Sequence, residues 1–423
     1  MPFELTIAQS RVIAEISSDI AKTTQMNRLL QGDVGSGKTI VALFAMLVAI
    51  EAGFQTCIMA PTEILALQHF TKISKLLDNM NVRIGWLSGS LTKKNKLLVA
   101  KQIENNELDL IIGTHAVFQD GVEFANLGLV VIDEQHRFGV KQRLLLKNKG
   151  INPHQLMMSA TPIPRTLALS YYADQDLSVI DELPPNRTPI VTLLVNNNRI
   201  NEVYDYIRHH LSQDTQVYWV CPLIEESEKL KLENATDVFA KLQIIFPDVS
   251  IGLIHGKLSG AEKKEIMEQF SRNEIKILVA TVVIEVGVDV PNASIMVINN
   301  SERMGLAQLH QLRGRVGRGH KASSCILLYG TSLSDTAKSR LRVIKDTTDG
   351  FEVARQDLLI RGPGELIGAR QSGLPTLKFS NLEEDRDLLE ITNKLAGEMI
   401  VKNSELSNNL IMLNIKNQEY VNV

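Results

Sequence analysis

The 423-residue sequence predicts an α/β protein of two tandem parallel-sheet lobes followed by a small helical-hairpin C-terminal region. Three observations carry this. Short apolar, strand-like runs alternate with longer amphipathic helical patterns, as parallel α/β layers require, and the alternation runs twice. Between the two series lies Leu183-Pro184-Pro185-Asn186-Arg187-Thr188-Pro189, where three prolines remove backbone donors and fix φ, so neither element can continue. From about Ser332 onward helical patterns persist and convincing strands stop.

The first series places strands at Gln55 to Ala60, Arg83 to Leu87, Leu110 to Gly113, Leu127 to Ile132 and Gln155 to Ser159, with the apolar pair Leu29-Leu30 ahead of them. The second places them at Val191 to Val195, Gln216 to Cys221, Ile251 to His255, Lys276 to Ala280, Ile295 to Ile298 and Cys325 to Tyr329. The implied division is a first lobe at residues 1–182, a linker at 183–190, a second lobe at 191–331, and a hairpin, loop and tail at 332–423.

Composition narrows the class. A content of 44% hydrophobic and 22% charged residues is that of an ordinary globular protein too long for one core. The formal net charge of −3 gives no global attraction to nucleic acid, so such binding has to come from local basic patches. The longest apolar run, Ile40 to Ile50, is too short to span a bilayer, and the N-terminus lacks a basic segment followed by an apolar one. No membrane partner and a cytoplasmic location are therefore expected. Cys57, Cys221 and Cys325 each sit alone in an apolar strand-like run without Cys-x-x-Cys spacing, which reads as core rather than disulfide or metal ligation.

The chemistry begins at Gly32-Asp33-Val34-Gly35-Ser36-Gly37-Lys38-Thr39, between a strand and a helical run from Ile40 to Ala52 closed by Gly53. The glycines let consecutive backbone N–H groups turn inward around a polyphosphate, while the next helix points its positive end at the same charge. Lys38 then reaches the β and γ phosphates and Thr39 places its hydroxyl on Mg²⁺. A second element, Asp133-Glu134-Gln135-His136, follows an apolar strand and so lies at the carboxyl edge of the sheet, beside the phosphate loop. There Asp133 can hold Mg²⁺ and Glu134 can polarise an attacking water. A helix start with two acidic residues is the plainer alternative.

Two further elements extend the pattern. Ser159-Ala160-Thr161-Pro162-Ile163-Pro164-Arg165 forms a stiff turn at a strand end, able to relay the nucleotide's state or simply to join strand to helix. In Gln311-Leu312-Arg313-Gly314-Arg315-Val316-Gly317-Arg318, Arg315 and Arg318 are three apart, so on a helix they share a face, and two guanidiniums match the charge of a phosphoryl-transfer transition state. Loop and carboxylates lie in the first lobe and arginines in the second. An ATPase site is then complete only when the lobes close, and hydrolysis reopens it.

These motifs resemble those of superfamily 2 helicases, whose lobes are RecA-like. More narrowly, Asp133 to Val140, Ala160 to Arg165 and Leu306 to Arg318 are similar to the RecG family of bacterial branched-DNA translocases, a resemblance that covers nearly the whole chain. It implies ATP and Mg²⁺ as cofactors. It also implies catalytic roles for Glu134, Gln311, Arg315 and Arg318, and nucleotide contacts from Gly32, Gly35, Ser36, Gly37, Lys38, Thr39 and Gln9, the last reading the adenine base; on the residues alone Gln9 is part of a helix start capped by Thr6. Pro61, Thr62, Thr114, His115, His255 and Thr281 match positions lining the DNA strand track, where small hydroxyls and N–H groups suit phosphate contacts, or cap neighbouring backbone.

The hairpin Leu341 to Ile360, broken at Asp349-Gly350, and the loop with Arg361, Arg370 and Gln371 resemble the element coupling hydrolysis to translocation in RecG and in the transcription-repair coupling factor. Members of the family carry an OB-fold wedge ahead of the motor. This sequence starts at the motor, as a fragment or as a product without the wedge, which leaves junction choice and strand separation outside these residues. The expectation is a monomeric ATP-dependent helicase or translocase motor acting on branched or duplex DNA in repair and recombination. The alternatives are the motor of a transcription-repair coupling factor, disfavoured by Gln135, or a non-hydrolysing ATP-gated clamp, disfavoured by the complete catalytic set.

Overall fold

The computed structural model describes residues 4–119, 121–134, 153–160, 175–182, 189–222, 228–281, 290–317, 319, 321–361, 386–403 and 405–407. Within these, thirteen strands form two wholly parallel sheets. In the first lobe the strands are β1 (Asn27–Gly32), β2 (Gln55–Met59), β3 (Ile84–Leu87), β4 (Leu110–Gly113), β5 (Leu127–Ile132), β6 (His154–Ser159) and β7 (Asp176–Ile180), in spatial order β3-β4-β2-β5-β6-β1-β7. The second sheet contains β8 (Ile190–Asn196), β9 (Gln216–Cys221), β10 (Ile251–Ile254), β11 (Ile277–Thr281), β12 (Ala293–Ile298) and β13 (Ser323–Tyr329), ordered β10-β11-β9-β12-β13-β8. Two parallel α/β lobes are thus present, as the alternation predicts.

The helices of the first lobe are α1 (Ile7–Ile20), α2 (Lys38–Glu51), α3 (Glu63–Leu76) and α4 (Lys93–Glu104). Those of the second are α5 (Ile200–Leu211), α6 (Glu228–Ile245), α7 (Gly260–Ser271) and α8 (Leu306–Arg313), followed by α9 (Asp335–Asp346), α10 (Gly350–Arg361) and α11 (Arg386–Lys402). Because parallel strands are covered on both faces, they read as continuous apolar runs. Alternate residues duly enter opposite cores: Leu30, Ile58 and Val131 pack with α1 and α2, while Leu29, Cys57 and Val130 pack on the other side with Ile103 and Val117. All three cysteines are free and buried in these layers, and burial pushes the thiols of Cys221 and Cys325 up to about 12.

Two differences from the sequence reading concern the elements. Strand β7 is absent from it, because Asp176 and Ser178 interrupt the apolar run; an edge strand paired on one side only tolerates them. The hairpin begins earlier than Leu341: α9 starts at Asp335, where the Ser334 hydroxyl accepts from the Ala337 N–H. Its break comes at residues 347–349, beside the expected Asp349-Gly350, with Gly350 already the first residue of α10, and Leu341, Ile344 and Val353 pack into the same cluster as Leu309 and Leu312, so the hairpin extends the core of the second lobe. The proline-rich linker at residues 183–188 lies outside the described residues.

Candidate nucleotide and nucleic-acid site

The phosphate loop joins β1 to α2. Gly35 and Gly37 have φ of +81° and +89°, a region that glycine enters without a Cβ penalty. Gly37 is the N-cap of α2, so Lys38 and Thr39 occupy its first turn, at the positive end of the helix dipole. Lys38 is buried and donates to the loop's own carbonyls, Gly32 O at 2.6 Å and Asp33 O at 2.9 Å. The buried Ser36 hydroxyl has no protein partner.

Gln9 reaches this loop from outside. Its N–H donates to the Thr6 hydroxyl at 3.2 Å, its Oε1 accepts from the Thr6 N–H at 3.0 Å, and its Nε2 donates to Ser36 O at 2.8 Å. The helix cap read from the residues is present, and the same capping box holds the amide that touches the loop.

Asp133 and Glu134 follow β5, two strands from the loop in the sheet order. The Asp133 Oδ2 lies 2.8 Å from His69 Nε2 of α3, and Oδ1 accepts from the Glu134 N–H at 3.0 Å. Burial opposes ionisation of Asp133, but the hydrogen bond and charge of His69 and the charge of Lys38 outweigh it and hold its pKa below the ordinary carboxylate value. Glu134 adopts φ of +52°, left-handed backbone that costs a non-glycine residue on the order of 1 kcal/mol or more. Ser159 ends β6, opposite Gln31 of β1; Thr161 to Arg165 lie outside the described residues, as do Gln135 and His136.

The second lobe meets this loop through α8. His310 Nε2 stands 2.6 Å from Asp33 Oδ1, and a Cβ on Gly314 would sit 2.7 Å from Val34 Cβ, so the strand-to-helix loop of one lobe abuts the helix end of the other. Gln311 and Arg315 belong to this segment. Arg315 lies beyond the helix: α8 ends at Arg313 with Gly314 as its C-cap, and Arg315 sits in a turn before Gly317, whose φ is +77°. Glycines here turn the chain rather than merely weaken a helix. Arg318 lies outside the described residues.

The residues expected to line the strand track fall at carboxyl ends of neighbouring strands. Pro61 and Thr62 follow β2, and Thr114 and His115 follow β4, its partner. In the second lobe His255 follows β10 and Thr281 ends β11, again partners. Thr62 caps α3 through a weak 3.4 Å contact from the Leu65 N–H. Thr114 Oγ1, Thr281 Oγ1 and His255 Nδ1, by contrast, are buried polar atoms without a protein partner, so capping does not explain them. Burial, then the charges of Lys263 and Lys257, push the His255 pKa below its ordinary value.

Sequence reasoning missed His69, His310 and a device repeated in both lobes. After β3 the hydroxyl of Thr92 caps α4 and Lys96 donates to Gly89 O at 2.6 Å; after β10 the hydroxyl of Ser259 caps α7 and Lys263 donates to Gly256 O at 3.0 Å. Both follow edge strands, and the shared Gly-x-Leu-Thr/Ser spacing was the available signal. Arg361 ends α10; Arg370 and Gln371 lie outside the described residues.

Comparison with known proteins gives consistent matches. Residues 6–169 match the DEAD/DEAH box helicase model, 198–320 the helicase conserved C-terminal domain, and 347–419 the model for ATP-dependent DNA helicase RecG, domain 3, C-terminal. The chain is 53% identical over 405 residues to ATP-dependent DNA helicase RecG of Acidithiobacillus ferridurans, covering 96% of this chain and 59% of that protein. It is 51% identical over 401 residues to that of Escherichia coli strain K12, covering 94% of this chain and 58% of that one. Among solved structures, RecG bound to a three-way DNA junction superposes with a TM-score of 0.76 at 45% identity, over 92% of this chain and 51% of that chain. Saccharomyces cerevisiae Dbp5, with a TM-score of 0.60 at 15% identity over 92% of this chain and 93% of that one, shows the shared fold alone. The chain spans roughly three fifths of the length of the first two relatives. No helix among the described residues is long and apolar enough to cross a membrane.

Proposed function

The chain belongs to the RecG family, and we propose that these residues form its ATP-driven DNA helicase and translocase motor, acting in the cytoplasm as a monomer on branched and duplex DNA in repair and recombination. The carrying observation is the 2.6 Å contact of His310 with Asp33, which sets the arginine-bearing segment of one lobe against the phosphate loop of the other. A site shared by two lobes couples hydrolysis to their movement.

The residues fit the implied nucleotide and metal. The left-handed glycines, the α2 N-terminus, the unpartnered Ser36 hydroxyl and Lys38 suit a triphosphate, and Gln9 lies where it can meet the base. Thr39 and the ionised Asp133 would hold Mg²⁺, which would supply charge neutralisation at the β and γ oxygens. Glu134 orients the attacking water, and Gln311, Arg315 and Arg318 stabilise charge developing on the transferred phosphoryl group. Pro61, Thr62, Thr114, His115, His255 and Thr281 hold the DNA backbone in register, the unpartnered atoms of three of them awaiting phosphate oxygens or bridging water. Arg361, Arg370 and Gln371 carry lobe closure to the duplex.

The test is the steady-state ATPase rate of the chain without DNA, with linear duplex and with a model fork, beside Lys38→Ala. Stimulation by both DNAs and its absence in Lys38→Ala are expected. Hydrolysis that ignores DNA refutes the motor reading, and nucleotide binding without hydrolysis under any of the three conditions favours the clamp.

A further inference from the structure

The second sheet repeats the first strand for strand: β10-β11-β9-β12-β13-β8 has the order of β3-β4-β2-β5-β6-β1, with β7 added at the edge of the first. The repeat extends to single contacts. Gln55 of β2 donates through Nε2 to Ile103 O and Leu108 O, and Gln216 of β9 donates in the same way to Phe270 O and Ile275 O. Beyond β5 the Asp133 N–H donates to Met59 O, and beyond β12 the Asn299 N–H donates to Val220 O, both at 2.9 Å. The next residue is left-handed in each lobe, Glu134 at φ of +52° and Asn300 at φ of +44°. Buried positions match too. Val41, Ala42 and Ala45 of α2 correspond to Val203, Tyr204 and Ile207 of α5, and Ala66 and Ile73 of α3 to Ala235 and Leu242 of α6.

In this register the phosphate-site residues have second-lobe counterparts without charge. Ile200 stands for Lys38, Val238 for His69, Asn299 for Asp133 and Asn300 for Glu134. One short turn, Asn197–Arg199, replaces the glycine-bearing phosphate loop. These counterparts line a cavity of about 260 Å³, together with Tyr204 and Trp219, whose rings stack at 6.0 Å between centroids, and the exposed Lys241. Asn299 is fixed there, its Oδ1 accepting from Trp219 Nε1 at 3.1 Å. Tyr204 is 6% exposed, yet its hydroxyl has no hydrogen-bond partner among the described residues, and neither have the side-chain amides of Asn197 and Asn300. Burial pushes the Tyr204 hydroxyl up, so it keeps its proton as a donor.

The donor set selects the occupant. Among the described residues no acidic side chain lines the cavity and the phosphate loop has no counterpart, so Mg²⁺ and polyphosphate find no ligands. A hydrocarbon would strip water from two amides and a hydroxyl without replacing its hydrogen bonds. A planar ring with donors and acceptors on its edge meets both demands while resting against aromatic and aliphatic side chains. A primary amide pairs with adenine through N6 and N7, two bonds in one plane. The volume lies just under the range of drug-sized pockets and suits one ring system.

We propose that this cavity is a nucleobase site selective for adenine, presented as a free nucleoside or as an unpaired base of a DNA strand. Asn197, Tyr204 and Asn300 make its polar contacts. It lies on the same carboxyl edge of the second sheet as His255 and Thr281. The proposal goes beyond the motor reading and does not rest on it.

The experiment is fluorescence titration of the full chain carrying Trp86→Phe, which leaves Trp219 as the sole tryptophan. Adenosine, uridine and short single-stranded oligo(dA) and oligo(dT) are added in turn. The expected result is a saturable change in Trp219 emission with adenosine, with oligo(dA) or with both, at least about five-fold weaker with the pyrimidine ligands. A response to oligo(dA) alone assigns the base to a strand, and one to adenosine alone to a free nucleoside. Asn300→Gly, which suits the left-handed backbone and removes the amide, weakens binding by about five-fold or more, and Tyr204→Phe by about three-fold or more. Gln9→Ala leaves the response in place, because the base contact of the first lobe is a separate site. Thermal melting reports folding, and Asn197→Ala, on an exposed turn, serves if Tyr204→Phe does not fold. No saturable response to adenosine or oligo(dA) overturns the proposal, as do equal responses to the pyrimidine ligands. So does a response that survives the second-lobe substitutions undiminished or disappears with Gln9→Ala.

Discussion

Substituting Gly314 isolates the contact between lobes. Its backbone is right-handed helical, φ −65° and ψ −6°, so alanine is conformationally acceptable there and only the added methyl matters. That methyl would lie 2.7 Å from Val34 Cβ, 3.0 Å from Cγ1 and 3.1 Å from Cγ2. Val34 cannot rotate away readily, because a β-branched side chain presents a heavy atom in most χ1 wells and Val34 is itself buried. Overpacking of this kind costs about 1–3 kcal/mol. Since the clash is between lobes, the cost falls on closure and not on the folding of either lobe. If hydrolysis requires closure, kcat falls by about 5- to 150-fold at 1.36 kcal/mol per decade. The assay is DNA-stimulated ATPase beside thermal melting. Unchanged kcat in Gly314→Ala refutes the closed-site argument, and a kcat loss that tracks a lower Tm shows a folding defect instead.

Two other outcomes follow from single contacts. Gln9→Ala removes the capping box and the bond to Ser36 O, so stability should fall by about 1 kcal/mol and ATP affinity several-fold, while GTP affinity stays level; parallel losses for both nucleotides would remove the base-reading role. The Asp19 carboxylate, opposed by burial but held by Lys22 and Arg28, has a folded pKa below 3.8. Its contribution to stability is therefore present above that pH and lost as pH falls through the folded value. Arg28→Met should flatten the drop in urea midpoint below pH 3.8, and an unaltered drop would contradict the assignment.

The phosphate loop, the buried strands and the double alternation were legible because each is a local pattern: glycines at fixed spacing, and apolar runs covered on both faces. What was illegible depended on distance along the chain. His69 is 64 residues from Asp133 and His310 is 277 residues from Asp33, and nothing in either helix marks a partner so remote. His310 and Arg313 stand in the sequence only as members of the Leu306 to Arg318 motif, whereas Arg313 is buried because α9 presents it with two carbonyls. Strand β7 was hidden by Asp176, which sits at an edge close to Arg28, and the end of α8 was hidden because only the Gly314 C-cap, two residues after Leu312, takes Arg315 out of the helix. Local periodicity reports which face is buried, but the partner that buries it is set by topology.

The central claim is one ATPase site divided between two lobes. The measurement that tests it most directly is ATP affinity and DNA-stimulated hydrolysis of Arg318→Ala, taken side by side with wild type. The account predicts that hydrolysis is abolished while affinity stays within about three-fold, because the arginine acts only on charge that develops during transfer. Equal loss of binding and turnover would contradict it and place that arginine in nucleotide binding or folding.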